Sequence, residues 1–285
     1  MGDNKKLNES HRRKKSESYK IIMTLMTIGA IIMVFPVVWM ILCSFKPQQE
    51  MMQFPPTFFP KNWTISNYIN VFKQMPFARY YFNSLWTSAL NTVVGVLSSS
   101  LIGYVFAKYH FKGRDILFFG ILACMMIPYE TLMPSVYKIM VGFHWTNSYL
   151  VLTIPYFCNI FGIFLMRQVY LDIPNDYLEA AEVDGCSQIR TWWKIAMPIA
   201  KPTITSLVIF LFMASYNSFL WPLISTDSRK YFTLPVGIRS MLSDRSNQYA
   251  MMMAASSMVI IPVCILFAIL EKQFIEGMTA GGIKG

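Results

Sequence analysis

Residues 179–202 read EAAEVDGCSQIRTWWKIAMPIAKP, a charged, glycine-broken and proline-ended interruption in an otherwise apolar chain. Just upstream, Asp172-Ile-Pro174-Asn-Asp176 suits a helix start, because proline fits a first turn and acids there meet the positive end of the helix dipole. The helix is expected to continue through Tyr177–Val183, and Gly185 is placed to close it in a left-handed conformation. Ser187 then caps a second helix over Gln188–Met197, which Pro198 ends. Glu179, Glu182 and Asp184 supply charge, Ala180 and Ala181 are small enough for another backbone to approach, and Trp192, Trp193 and Ile195 supply an apolar face. An amphipathic helix pair resting on lipid accounts for the tryptophans but not for an acidic first helix, which an anionic leaflet repels. A docking surface for a cytoplasmic partner accounts for both.

The surrounding chain has 285 residues, 54% hydrophobic and 14% charged. Soluble domains carry about 25% charged residues, so the composition points to a membrane. Six apolar runs approach or exceed the roughly 20 residues that cross a bilayer core: 21–45, 85–107, 116–132, 150–166, 203–223 and 250–270. Helices satisfy all their backbone groups internally, so the expectation is an all-α integral membrane protein with six transmembrane helices. Pro128, Glu130 and Asn159 interrupt the third and fourth runs. The organisation that follows is a basic tail over 1–20, a first anchor and outer loop over 21–80, a five-helix core over 81–270 containing the loop 167–202, and a tail over 271–285.

The net charge of +10 raises the question of nucleic acid, and its placement answers it. Seven Lys/Arg lie in residues 1–20, including Arg12-Arg13-Lys14-Lys15, and three more (Lys108, Lys112, Arg114) lie in the next loop on that side. With a cytoplasmic N-terminus, 16 of the 25 Lys/Arg fall inside, so both termini are expected in the cytoplasm. The basic tail is then an orientation signal near anionic lipid, and no nucleic-acid partner is expected. The first apolar run is too long for a secretory signal and has no small-residue cleavage site, so it stays as an anchor.

Five cysteines (Cys43, Cys124, Cys158, Cys186, Cys264) and three histidines (His11, His110, His144) are scattered without a CxxC pair, which argues against a metal site. No G-x-x-x-x-G-K-[ST] loop occurs, so this chain lacks the usual means of cradling ATP phosphates. Asn91, Asn159, Tyr216, Asn217 and Trp221 are polar or aromatic groups at or near membrane depth. Such groups often mark transport pathways, and Asn amides and aromatic rings would suit sugar hydroxyls and sugar faces. Helix–helix hydrogen bonding is the plainer reading of each. Glu130 reads as a rim or pairing residue.

Glu179-Ala180-Ala181, then Gly185, then Ile195-Ala196-Met197-Pro198 resembles the EAA signature of ABC importer permeases, E-A-A with G after three residues and a later I-x-L-P. Met197 stands where leucine is usual and Cys186 where alanine is commoner, both mild departures. Asn83-Ser84-Leu85, the FAKYHFKGRD of 106–115, Tyr216-Asn217-Ser218-Phe219-Leu220-Trp221-Pro222-Leu223, Thr233-Leu234-Pro235 and the tail from Gln273 to Gly285 look like the carbohydrate-type, maltose-type, six-span permeases. The family often has Trp-Asn-Asp where this chain has Tyr216-Asn217-Ser218.

The resemblance implies a type I ABC importer permease fold in the bacterial cytoplasmic (inner) membrane. Its cargo would be a sugar or oligosaccharide. The partners would be a second permease subunit in a heterodimer, cytoplasmic ATP-binding subunits that carry ATP and Mg, and an extracytoplasmic solute-binding protein. Glu179, Ala180, Ala181, Asp184, Gly185, Ile195 and Pro198 would dock to the ATPase, whose closure would switch the spans between inward and outward access. Asn91, Tyr216, Asn217 and Trp221 would be the candidates for the substrate pathway. A secondary transporter predicts charges along the spans and no docking element, and a membrane enzyme predicts clustered Asp, Glu or His at one interface. An importer for another solute shares every feature of the loop, because the EAA element reports the engine and not the cargo.

Overall fold

The computed structural model describes residues 3–241 and 248–282, with side chains described over 19–241 and 248–272. The basic cluster of 12–15 and the tail signature from Gln273 onward therefore lie outside the described side chains. All regular elements among the described residues are helical. Four stretches are long and apolar enough to cross a membrane: Tyr19–Ser44, Phe77–Lys108, Tyr149–Leu171 and Tyr249–Lys272. The number rises to six if each of two bent helix pairs is one span.

The chain divides into two units. The first takes residues up to Gln74 together with 247–258. Here the Asp3–Ser44 helix leads into a segment that is irregular, but not loose. Asn67 on the Ser66–Gln74 helix donates through Nδ2 to the carbonyls of Ser44 (2.7 Å) and Lys46 (2.8 Å), taking up carbonyls freed at the first helix's end. Tyr68 hydrogen-bonds Ser44 (2.7 Å) and Ser257 (3.0 Å), and Phe45 packs on the Trp63 and Tyr68 rings. The Glu50 carboxylate accepts from Thr57 Oγ1 (2.7 Å) and the Lys61 amide (2.9 Å), closing the turn between them.

The second unit, 75–246 with 259–285, is built around the Phe77–Lys108 helix, which packs against Ile160–Leu171 and Lys201–Tyr216. Lipid is as apolar as leucine, so spans associate through close packing and hydrogen bonds, and small residues allow both. Gly95, Ser99 and Gly103 repeat every fourth residue of this central helix. A Cβ on Gly103 would stand 2.8 Å from the Arg167 amide nitrogen, and one on Gly162 would stand 2.5 Å from Ser99 Oγ. Asn83, fully buried, donates to the Lys230 and Phe232 carbonyls (both 2.9 Å) and accepts from Tyr149 OH (2.8 Å). The Ser84 hydroxyl accepts from the Leu234 amide at 2.7 Å. Asn83-Ser84 thus secures the 230–234 segment.

Three apolar runs depart from their expected form. The run 116–132 is not one helix: Arg114–Cys124 and Tyr129–Gly142 meet at 100°, and the second helix occupies much of the expected outer segment 133–149. Pro128 forces the residue before it out of helical geometry and sits as the N-cap of the second piece. The run 150–166 is broken at 157–159, after Pro155, and Asn159 restarts it by accepting from the Gly162 amide at 2.7 Å. The run 203–223 ends at Tyr216, and a separate helix covers Leu220–Ser225. Periodicity alone cannot reveal such breaks, because the residues around them remain apolar.

Candidate functional site

Asp176–Val183 is a helix that ends at Gly185, whose φ of +74° is left-handed. The Cys186 amide donates to Ala181 O (2.9 Å) and the Gly185 amide to Glu182 O (3.0 Å), a paired closure that needs a residue without a Cβ at the turn. A helical run over Gln188–Ile199 follows and meets Lys201–Tyr216 at 85°. Ser187 stands at its N-cap, yet the hydroxyl makes no capping bond. Pro198 does not stop this helix at Met197, as its missing N–H would suggest. Trp192–Ala196 forms a π turn in which the Met197 amide reaches back to Trp192 O, so Pro198 falls in a final turn with a shifted register.

The two helices form a hairpin with one inward and one outward face. Glu179, Ala180, Asp184, Gly185 and Pro198 are exposed, as are Glu182, Val183, Ile189 and Trp193. Ile195 is half-buried. Ala181 is buried, so of the two alanines expected to admit a partner's backbone only Ala180 is open. Adjacent helical residues lie about 100° apart, which sends 180 and 181 to different faces. The same rule divides the tryptophans: Trp193 is 53% exposed and Trp192 only 7%. The single apolar face expected from Trp192, Trp193 and Ile195 is therefore split.

The inward face is tied to the second unit by polar groups as well as by packing. Trp192, Ala196 and Ala200 join a core with Val96, Tyr104, Met166, Tyr170 and Leu207. Trp192 Nε1 donates to Ser100 Oγ at 3.0 Å, and Ser100 shares a 2.6 Å hydrogen bond with Tyr170 OH. Lys108 Nζ donates to Ile173 O (2.5 Å) and Asn175 Oδ1 (2.9 Å), pinning the hairpin's entry to the end of the central helix. Tyr109 OH donates to Gln188 Oε1 at 2.6 Å. Burial first, and then the Glu182 carboxylate, pushes the Tyr109 phenol up, so it remains a hydrogen-bond donor at neutral pH.

The second feature is a groove of about 670 Å³ where the three broken runs come together. Its walls include the 125–128 break with Tyr129 and Glu130, the break with Tyr156, Cys158 and Asn159, and the Ser218–Leu220 break. Ser98 Oγ donates to Phe157 O (2.6 Å) and Ser99 Oγ to Asn159 O (3.2 Å), which also accepts from the Ile163 amide, so the central helix hydrogen-bonds both sides of the break. Tyr156 and Ser218 join their hydroxyls at 2.8 Å inside the groove. Irregular backbone at membrane depth persists where it lines a cavity or is buried in protein.

The four expected pathway residues separate here. Asn91 is buried and donates to Leu152 O (3.0 Å) and Ser215 Oγ (2.9 Å), a joint between helices. Tyr216 is buried, stacks on Phe212 and donates to Val259 O at 3.0 Å. Trp221 has no exposed surface, donates to Val151 O at 2.8 Å and stands behind Tyr129 as the groove's wall. Asn217 alone is exposed. Ser218, which stands where the family often has an acid, lines the groove, and so do Tyr129 and Tyr156, which had not stood out in the sequence. Pro128 and Pro155, prolines inside apolar runs, were the signal that could have found them.

Residues 95–278 match the family model described as "binding-protein-dependent transport system inner membrane component". The chain is 36% identical over 278 residues to the arabinooligosaccharides transport system permease protein AraQ of Halalkalibacterium halodurans, covering 95% of this chain and 100% of that one. It is 31% identical to the trehalose/maltose transport system permease protein MalG of Thermococcus litoralis, over 92% of this chain and 96% of the relative. Its fold is similar to a chain in the crystal structure of a bacterial ABC transporter involved in the import of the acidic polysaccharide alginate, with TM-score 0.81, 21% identity, and coverage of 92% of this chain and 98% of that one. Its helices, its hairpin and these matches agree: the chain belongs to the family of inner membrane components of binding-protein-dependent transport systems.

Proposed function

We propose that this protein is the six-span permease subunit of an ATP-driven importer that moves a sugar or oligosaccharide across the bacterial cytoplasmic membrane. The observation that carries the reading is the hairpin, with its acidic tip exposed and its tryptophan base anchored in the spans. In this reading the tip around Glu179, Ala180 and Gly185 docks in a cytoplasmic ATP-binding subunit, where ATP and Mg are bound and hydrolysed. A second permease completes the pathway, and a solute-binding protein delivers cargo from outside.

The groove at the three breaks is this subunit's share of that pathway. Tyr129, Tyr156, Phe161 and Phe219 offer aromatic faces, and Ser218, Asn159 and Glu130 offer hydrogen-bonding groups, a lining that suits sugar rings and hydroxyls. Relatives named for arabinooligosaccharides and for trehalose/maltose make neutral oligosaccharides the first probes.

The reading is tested in the reconstituted complex with arabinotriose as cargo. Gly185→Pro or Glu179→Lys should still insert and assemble, while ATP hydrolysis no longer drives uptake. Uptake at the wild-type rate in both variants would sink the docking assignment.

A further inference from the structure

We propose that Trp192, Ser100 and Tyr170 form a latch through which displacement of the hairpin reaches the spans, so that these three are positioning residues for coupling. The proposal rests on the reading of the hairpin as the ATPase-docking element and goes beyond it by naming the transmitting contacts.

Three observations meet at Trp192. An interfacial tryptophan ordinarily keeps its indole N–H toward the wet interface. Here that only donor is turned inward onto a serine with no exposed surface, one that also bonds a fully buried tyrosine. The chain thus joins the hairpin to the central helix and to the Ile160–Leu171 helix in surroundings where hydrogen bonds are strong and unpaired polar groups costly. The indole is also not enclosed on every side: with Leu101, Tyr104, Val105, Phe111 and Ile189 it borders an open space of about 330 Å³. A ring held by one directional bond beside free volume can take a second position without a clash. Finally, Trp192 opens the π turn Trp192–Ala196, where an extra residue is held in the helix. Sliding of that turn re-aims Trp192 relative to the hairpin tip, the kind of discrete rearrangement that transmits a push.

The experiment uses the assembled complex and a native reporter, Cys158, which is exposed in the groove. Labelling of Cys158 by an impermeant maleimide, resolved by mass spectrometry of its peptide, is followed with and without Mg-ATP, beside the rate of hydrolysis. Trp192→Phe removes the donor, Tyr170→Phe cuts the far bond, and Ser100→Ala cuts both. Each variant is expected to assemble and hydrolyse ATP, while the nucleotide-driven change at Cys158 per ATP falls about fivefold, whether one bond or both are cut. Because the links act in series, combining Trp192→Phe with Tyr170→Phe should be no worse than either substitution alone, and no worse than Ser100→Ala. Wild-type responses in the three single variants, or strictly multiplicative losses in the double, would overturn the latch. If Glu179→Lys and Gly185→Pro uncouple and these variants do not, the docking reading stands and the latch fails. If Glu179→Lys and Gly185→Pro leave coupling intact, the docking reading itself fails.

Discussion

Single residues carry the closest tolerances in this protein, and the glycines show that they do so for different reasons. Gly185 stands in open space, and only its positive φ resists substitution. Gly103 has ordinary helical geometry, and its constraint is steric. A methyl group there would meet the Arg167 amide nitrogen and Met166 Cβ, both at 2.8 Å, and the backbone nitrogen cannot swing away like a flexible side chain. Gly103→Ala is therefore expected to destabilise the helix pair by about 2 kcal/mol. Gly185→Ala is expected to cost about 1 kcal/mol through left-handed strain. Thermal unfolding in detergent checks the order, which reverses if helix packing yields easily. Residue types are a poor guide at this scale: Asn91, Tyr216 and Trp221 have the chemistry of a sugar site, but their donors bond the protein's own carbonyls and a serine hydroxyl.

Elements in this chain are held at their irregular ends by side chains. The irregular segment after the first helix depends on Glu50, whose carboxyl is held below its usual range by the Lys61 amide first, against a smaller opposing effect of burial, and then by Thr57. A carboxyl with a lowered folded value stabilises fully above its unfolded value, and the contribution disappears as pH falls through the folded value. The Glu50 clasp should therefore hold at neutral pH and release once pH drops below the ordinary value of 4.5. Protease sensitivity of the 46–65 segment should rise over that range in the wild type. In Glu50→Gln it should already be high at neutral pH and change little. A wild-type acid transition that survives in Glu50→Gln would show that another group controls it. The hairpin follows the same logic, with Lys108 and Tyr109 holding what the short helices alone could not.

For the whole molecule, charge placement leads to a prediction about orientation. With 16 of 25 Lys/Arg assigned to one side, the hairpin should face the cytoplasm and the Glu50 segment the outside. In intact cells an impermeant thiol reagent should label Lys61→Cys and leave Cys186 unlabelled until the membrane is opened. Labelling of Cys186 in sealed cells would reverse the topology.

The sequence by itself determined the class of the protein. The length of its apolar runs requires membrane helices. The E-A-A, Gly185 and Pro198 spacing identified the hairpin, because local signals such as a left-handed cap need no tertiary context. Tertiary structure decided which side of each helix faces protein. Lipid and protein interior are equally apolar, so a spanning sequence has little polarity difference by which to mark its buried face. For that reason the partition of Trp192 from Trp193, the burial of Ala181, and the meeting of three broken spans around one groove emerge only when the helices pack.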